Sequence, residues 1–130
     1  MNQAQWRSFF LIGSSVLGRG SATAALSDSW CAWTTFKRLK EDAGYWTAGF
    51  PSAEDAGNIG IADGSAWGQP FLYADIAHII VPREFYWEKI SSTGFDSGRR
   101  EQNVDALSIA LREAGISYSA GDYSLDIKLY

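Results

Sequence analysis

The sequence predicts an α+β fold: a single mixed or mainly antiparallel sheet packed against a C-terminal amphipathic helix at about residues 101–114, with a β-hairpin over 116–130 and a short N-terminal helix. Val104, Leu107, Leu111 and Ala114 recur at steps of three and four and share one helical stripe, while Asp105, Ser108, Arg112 and Glu113 face elsewhere. Gly115 follows directly and can take the left-handed conformation that ends a helix, with Ile116 placed to pack back on Leu111. Beyond it Ile116 and Tyr118 alternate with Ser117 and Ser119, a turn falls at Ala120–Asp122, and Tyr123, Leu125, Ile127 and Leu129 point to one face of a second strand. Ser124, Asp126, Lys128 and Tyr130 take the opposite face, which leaves one side of the sheet wet or thinly covered.

From the N-terminus, Trp6, Phe9, Phe10, Val16 and Leu17 have helical spacing, weakened by Gly13 and ended by Gly18-Arg19-Gly20. Residues 26–43 allow two readings. Leu26, Trp30, Trp33 and Phe36 fit a helix, although Lys37 and Lys40 interrupt its apolar stripe. The preferred reading is a hairpin: a strand through Trp33–Phe36, a turn at Glu41–Gly44 and a return strand over Tyr45–Phe50. Pro51 to Pro70 reads as a long loop with a short strand at Asn58–Ala62, anchored only by Ile59, Ile61 and Trp67. Phe71 to Val81 is almost continuously apolar, as expected of a central strand covered on both faces, and Pro82 ends it. Arg83 to Ile90 alternates well enough for a further antiparallel strand, and Ser91–Gly98 reads as a turn into the helix. Strand, crossover helix and strand then suggest a right-handed βαβ unit extended by the final hairpin.

A chain of 130 residues fits one domain, residues 1–130, and can bury a core without disulfides or metals. The one Cys excludes an intramolecular disulfide, no run of eighteen apolar residues suggests a membrane span, and the start lacks the positive segment of a secretion signal. The expected location is cytoplasmic. The formal charge of −4 disfavours nucleic acid and favours a basic partner. Six Trp, six Tyr and seven Phe either fill the core or crowd a recognition surface.

The residues that carry chemistry do not assemble into a recognisable constellation. Zinc wants several Cys or His ligands, and Cys31 and His78 stand far apart. Glu54, Asp55, Asn58 and Asp63 offer oxygens without the ordered spacing of a calcium loop. His78 lies in the most apolar strand, where a hydrogen-bonded sheet histidine is the expected role, and Cys31 beside Trp30 and Trp33 reads as a buried hydrophobe. Gly13, Gly18 and Gly20 precede no phosphate-loop lysine, and Gly57, Gly60 and Gly64 do not form a dinucleotide fingerprint. No metal or cofactor is expected. Asp75, Glu84 and Glu88 near the central strand, and Glu54, Asp55 and Asp63 in the long loop, suit a surface that answers a basic partner.

At Gly68-Gln-Pro-Phe-Leu-Tyr-Ala-Asp-Ile-Ala-His-Ile-Ile-Val-Pro82, at Gln102-Asn-Val-Asp-Ala-Leu-Ser108 and at Leu125-Asp-Ile-Lys-Leu-Tyr130, the chain resembles small bacterial cytoplasmic proteins of the toxin-immunity type. Such proteins protect a cell from a neighbour's toxin or its own. The resemblance covers about half the chain through strand and helix patterns, and carries over no functional residue. It implies a non-catalytic binding protein whose partner is a basic toxin domain. Candidate partner-binding residues are Glu54, Asp55, Asp63, Trp67, Glu84, Tyr86 and Glu88. The alternatives are a small enzyme or ligand-binding domain whose carboxylates and aromatics meet only in the fold, and a structural or oligomer-forming domain.

Overall fold

The computed structural model describes all residues, 1–130. The chain opens with helix α1 (Gln3–Leu17), capped reciprocally: the Gln5 N–H donates to Asn2 Oδ1 at 2.8 Å and the Asn2 N–H to Gln5 Oε1 at 3.0 Å. Gly18, at φ 89°, ends it where the sequence predicts. Gly13 has a packing role inside this helix, because a Cβ there would stand 2.3 Å from the ring tip of Phe50.

Strand β1 (Cys31–Thr35) leads into one turn of helix α2 (Phe36–Lys40) and returns as β2 (Trp46–Ala48), with Trp33 opposite Trp46. The hairpin reading of this region therefore holds. Its strand stops one residue early, because Thr35 caps α2 by accepting from the Arg38 N–H at 3.2 Å. The long connection that follows contains a 3-10 turn at Ala53–Asp55 and strand β3 (Gly60–Ile61), and is pinned where Trp67 stacks on Trp33 at 3.9 Å and 11°.

The apolar run from Phe71 is not one strand. It divides into β4 (Phe71–Leu72), a 3-10 turn (Tyr73–Asp75) and β5 (Ile76–Pro82). The turn drives Tyr73 inward to stack on Phe10 and donate its hydroxyl to the Gly57 carbonyl at 2.8 Å. The centre of the main sheet is β5 alone.

Strand β6 (Glu84–Ser91) pairs with β7 (Gly94–Glu101) rather than with the main sheet, so Ser91–Gly98 is mostly strand and not a turn. Cross-strand pairing supplies the order that the glycines and serines of β7 do not signal locally. Helix α3 (Val104–Glu113) starts after the predicted point, since Asn103 caps it through the Ala106 N–H at 3.0 Å. Gln102 stays outside the helix, buried, with its amide bonded to Trp30 N–H, Trp30 C=O and Pro82 C=O. At the other end Gly115 sits at φ 72°, the Ile116 N–H reaches the Leu111 carbonyl at 3.0 Å and the Gly115 N–H reaches that of Arg112 at 3.1 Å. This is the Schellman stop the sequence predicts.

The closing hairpin, β8 (Ser119–Ala120) and β9 (Ser124–Lys128), completes a five-stranded sheet in the order β2-β1-β5-β9-β8. Every pairing in it is antiparallel, including β5 with β9, so the expected βαβ unit does not form. The short β3–β4 and β6–β7 ribbons lie outside it. Cys31, Trp33, Ile79, Val81, Leu125 and Ile127 share one face by register and join Trp6, Phe9 and Phe10 of α1 and Val104, Leu107 and Leu111 of α3 in one core of 22 residues. Of the four apolar residues expected on the last strand's inner face, only Leu125 and Ile127 are buried. Tyr123 and Leu129 fall beyond the ends of β9 and stay exposed. Burying one such Leu or Ile fully stabilises by roughly 1.5–3 kcal/mol, so both helices are held by the face they cover.

Candidate interaction surface

The β6–β7 ribbon is an arm with two unlike faces. Pairing sets Phe85 opposite Arg100, Trp87 opposite Gly98 and Lys89 opposite Asp96 on one side. That side is anchored near its base. Phe85 is buried and stacks on Trp30 at 5.7 Å, while Arg100 donates to the carbonyls of Ala24 (3.1 Å), Ala25 (3.3 Å) and Ser27 (2.6 Å) and lies 5.1 Å from the Trp87 ring. The glycine at position 98 lets Trp87 lie across the ribbon, since a Cβ there would come within 3.0 Å of the indole.

The other side sets Glu84 opposite Glu101, Tyr86 opposite Arg99, Glu88 opposite Ser97 and Ile90 opposite Phe95. Tyr86, Ile90 and Phe95 are 50, 83 and 62 % exposed. Arg99 pairs with Glu84 at 2.7 Å, and the Tyr86 hydroxyl donates to Glu88 at 3.2 Å. An isolated two-stranded ribbon is marginal by itself, so the anchored side is what holds the outer side in shape.

At the root of the arm, where β6 and β7 leave the body, a pocket of about 740 Å³ is lined by Glu84, Glu101, Asp105, Asp122, Arg83 and Tyr123 among others. Arg83 is committed to Asp105 at 2.9 Å and to the Gly121 carbonyl at 2.9 Å. Glu101 and Asp122 belong to none of the three ion pairs. Root and outer face therefore carry a negative excess that suits cationic side chains.

The structure thus brings Glu84, Tyr86 and Glu88 together on one face. Glu54, Asp55 and Asp63 lie on the connection between β2 and β4, where the Asp55 carboxylate accepts from Ser52 Oγ at 2.9 Å and that of Asp63 from the Gly64 N–H at 3.0 Å. Trp67 is buried against Trp33 and has no surface to offer a partner. Ile90 shares this face with Tyr86 and Glu88, as the alternation of Arg83–Ile90 predicts, whereas Phe95, Arg99 and Glu101 complete it from β7 and were not legible as part of it, because reading Ser91–Gly98 as a turn leaves no partner strand to carry them.

A second polar cluster lies on the other face of the main sheet, where His78 and its cross-strand neighbour Thr34 are themselves buried. The His78 Nε2–H donates to Asp126 at 3.0 Å, His78 Nδ1 shares a hydrogen bond with the Tyr45 hydroxyl at 2.8 Å, and the Tyr45 and Tyr130 hydroxyls are hydrogen-bonded to each other at 3.1 Å. Asp126 as carboxylate only accepts, so Nε2 is the donor in that bond. Burial first, and then the Tyr130 hydrogen bond, push the Tyr45 phenol up to about 12. Both imidazole nitrogens are committed, so His78 is a satisfied sheet histidine rather than a free base. Cys31, on the opposite face of the sheet, has its thiol pushed up to about 12 by burial and is closed to nucleophilic chemistry.

The chain folds as a small α+β protein with a two-stranded ribbon outside its main sheet, and no helix is long and apolar enough to cross a membrane. No family model, curated protein or solved structure matches the chain.

Proposed function

We propose that this is a non-catalytic binding protein of the toxin-immunity type, which holds a basic protein partner against the outer face of the β6–β7 arm and the acidic pocket at its root. One observation carries the reading: Tyr86, Ile90 and Phe95 stand largely in water on a rigidly anchored ribbon, beside carboxylates that no cation of the chain fully neutralises. Clustered aromatic and aliphatic anchors inside a charged rim are the composition of an interface centre. The formal charge of −4 adds long-range attraction toward a basic surface.

The test uses the full chain as bait beside a Tyr86→Ala, Ile90→Ser, Phe95→Ser variant in an extract of the source cells. The intact chain should retain one basic protein at low salt and release it at about 0.5 M salt, where screening is short-ranged. The variant should retain none while its melting temperature stays unchanged. The retained protein, expressed alone, should arrest growth, and co-expression of this chain should restore it. Retention that survives the arm substitutions, or a partner that is not basic, would refute the reading.

A further inference from the structure

The surface has another concavity, between the start of α2 and the β3–β4 hairpin, that shares no residue with the arm or its root pocket. It is a groove of about 640 Å³, within the size range of sites that enclose small ligands. Ile61 and Phe71 line it from the core, while Phe36, Ile59 and Leu72 remain 38, 56 and 49 % exposed. Three large apolar side chains left in water around one hollow differ from the scattered exposure of an ordinary surface.

The walls are fixed in advance. On one side the Tyr73 N–H donates to the Ile59 carbonyl at 2.9 Å and the Ala62 N–H to the Asp55 carbonyl at 2.9 Å. On the other, Thr35 holds the first turn of α2 through the Arg38 N–H. Two opposite charges also line the groove, Lys37 and Asp75, and neither belongs to any ion pair of the chain.

The register of the hairpin supplies a further feature. Ile61 pairs with Phe71 and Gly60 with Leu72, and the bond from Tyr73 to Ile59 makes the residues on either side of Leu72 the hydrogen-bonded positions. In an antiparallel ladder the N–H and C=O of the residue between them turn away from the partner strand. Leu72 thus presents a backbone donor and acceptor at an open edge, the pair of groups that an added strand engages.

We propose that this groove binds a short apolar peptide with free termini, in extended form. The peptide main chain pairs with the Leu72 edge and its side chains lie among Phe36, Ile59 and Leu72. Its carboxylate and ammonium ends meet Lys37 and Asp75.

The test is an NMR titration of the isotope-labelled full chain with the tripeptide Leu-Phe-Leu, first with free ends and then acetylated and amidated. The free peptide should shift the amides of Phe36, Lys37, Ile59 and Leu72, and binding should weaken by about tenfold for the blocked peptide and for each of Lys37→Glu and Asp75→Lys. Leu72→Asp, at an exposed position, should abolish it, whereas the arm variant should bind normally. Equal binding of the blocked peptide, shifts away from the groove, or no shift at millimolar peptide overturns the proposal. None of these results bears on the arm.

Discussion

Trp67 shows how one side chain can order a stretch that composition marks as irregular. Its ring lies 3.9 Å from Trp33 and edge-on to Phe10 and Phe71, so it is the largest side chain by which the connection between β2 and β4 enters the core, alongside Phe50, Ala56 and Ile61. Removing a packed Trp costs about 3–5 kcal/mol, the lost transfer energy plus the cavity left behind. Trp67→Ala should lower the stability measured by urea unfolding by that amount and expose Pro51–Pro70 to protease, and a variant as stable as the parent would mean that the loop stands without this anchor. Gly13 makes the complementary case. Alanine is the better helix former by roughly 0.8–1 kcal/mol, yet its Cβ would overlap a Phe50 ring already wedged against Phe9 and Phe10. Overpacking costs about 1–3 kcal/mol, so Gly13→Ala should destabilise, as read by thermal melting, where propensity alone predicts the opposite sign.

At the scale of elements, α1 and α3 were legible because each carries an apolar stripe and a glycine stop, while the Asn caps that set their first residues went unread, so α3 was placed to start too early. The β1–β2 hairpin was legible for a similar reason, since Asp42 and Gly44 supply the positive φ values its turn needs. The arm was half legible. Strand β6 alternates clearly, but Gly94, Ser97 and Gly98 of β7 have little strand preference, and only pairing across the ribbon gives them order. The break at Tyr73 was hidden because an apolar run reads the same whether straight or kinked. Of the candidate site, the acidic and aromatic half on β6 could be read from the chain, while the half on β7 depended on a register no local pattern encodes. The root of the arm offers a direct test. Gln102 bonds Trp30 N–H, Trp30 C=O and Pro82 C=O, joining β6–β7 to the chain leading into β1 and to the end of β5. Gln102→Leu removes three hydrogen bonds to part-buried backbone groups, at about 0.5–1.5 kcal/mol each. Amide exchange at Trp30 should accelerate by at least an order of magnitude while that of Ile79 in the centre of the sheet changes little. Equal acceleration at both would mean that the arm and the sheet open as one unit.

For the molecule as a whole, the sheet divides labour between its faces, and the division sets how stability responds to alkali. The covered face holds Cys31 fully buried, its thiol pushed from 9.0 up to about 12 by burial. Tyr45, mainly through burial and Tyr130, and Tyr73, through burial, move in the same direction, whereas the partly buried Tyr118 is lowered by its hydrogen bond from Ser108. The sign follows from proton counting. Between about pH 9 and 12 the unfolded thiol has lost its proton while the folded one keeps it, so the unfolded state binds fewer protons and stability falls as pH rises. Below 9 the contribution is fully present, and by about 12 it is gone. For Cys31 alone the loss at about pH 10.5 is on the order of 2 kcal/mol, since each unit is worth about 1.4. The two tyrosines add to it in direction, with solvent screening reducing the share of the half-exposed Tyr45. Urea unfolding of the intact chain should therefore weaken steadily from about pH 8.5 to 10.5, and Cys31→Ala, less stable at neutral pH through lost packing, should show a distinctly shallower decline. The same slope in both proteins would place the alkaline sensitivity in the tyrosines and mean that the thiol is not held protonated by the core.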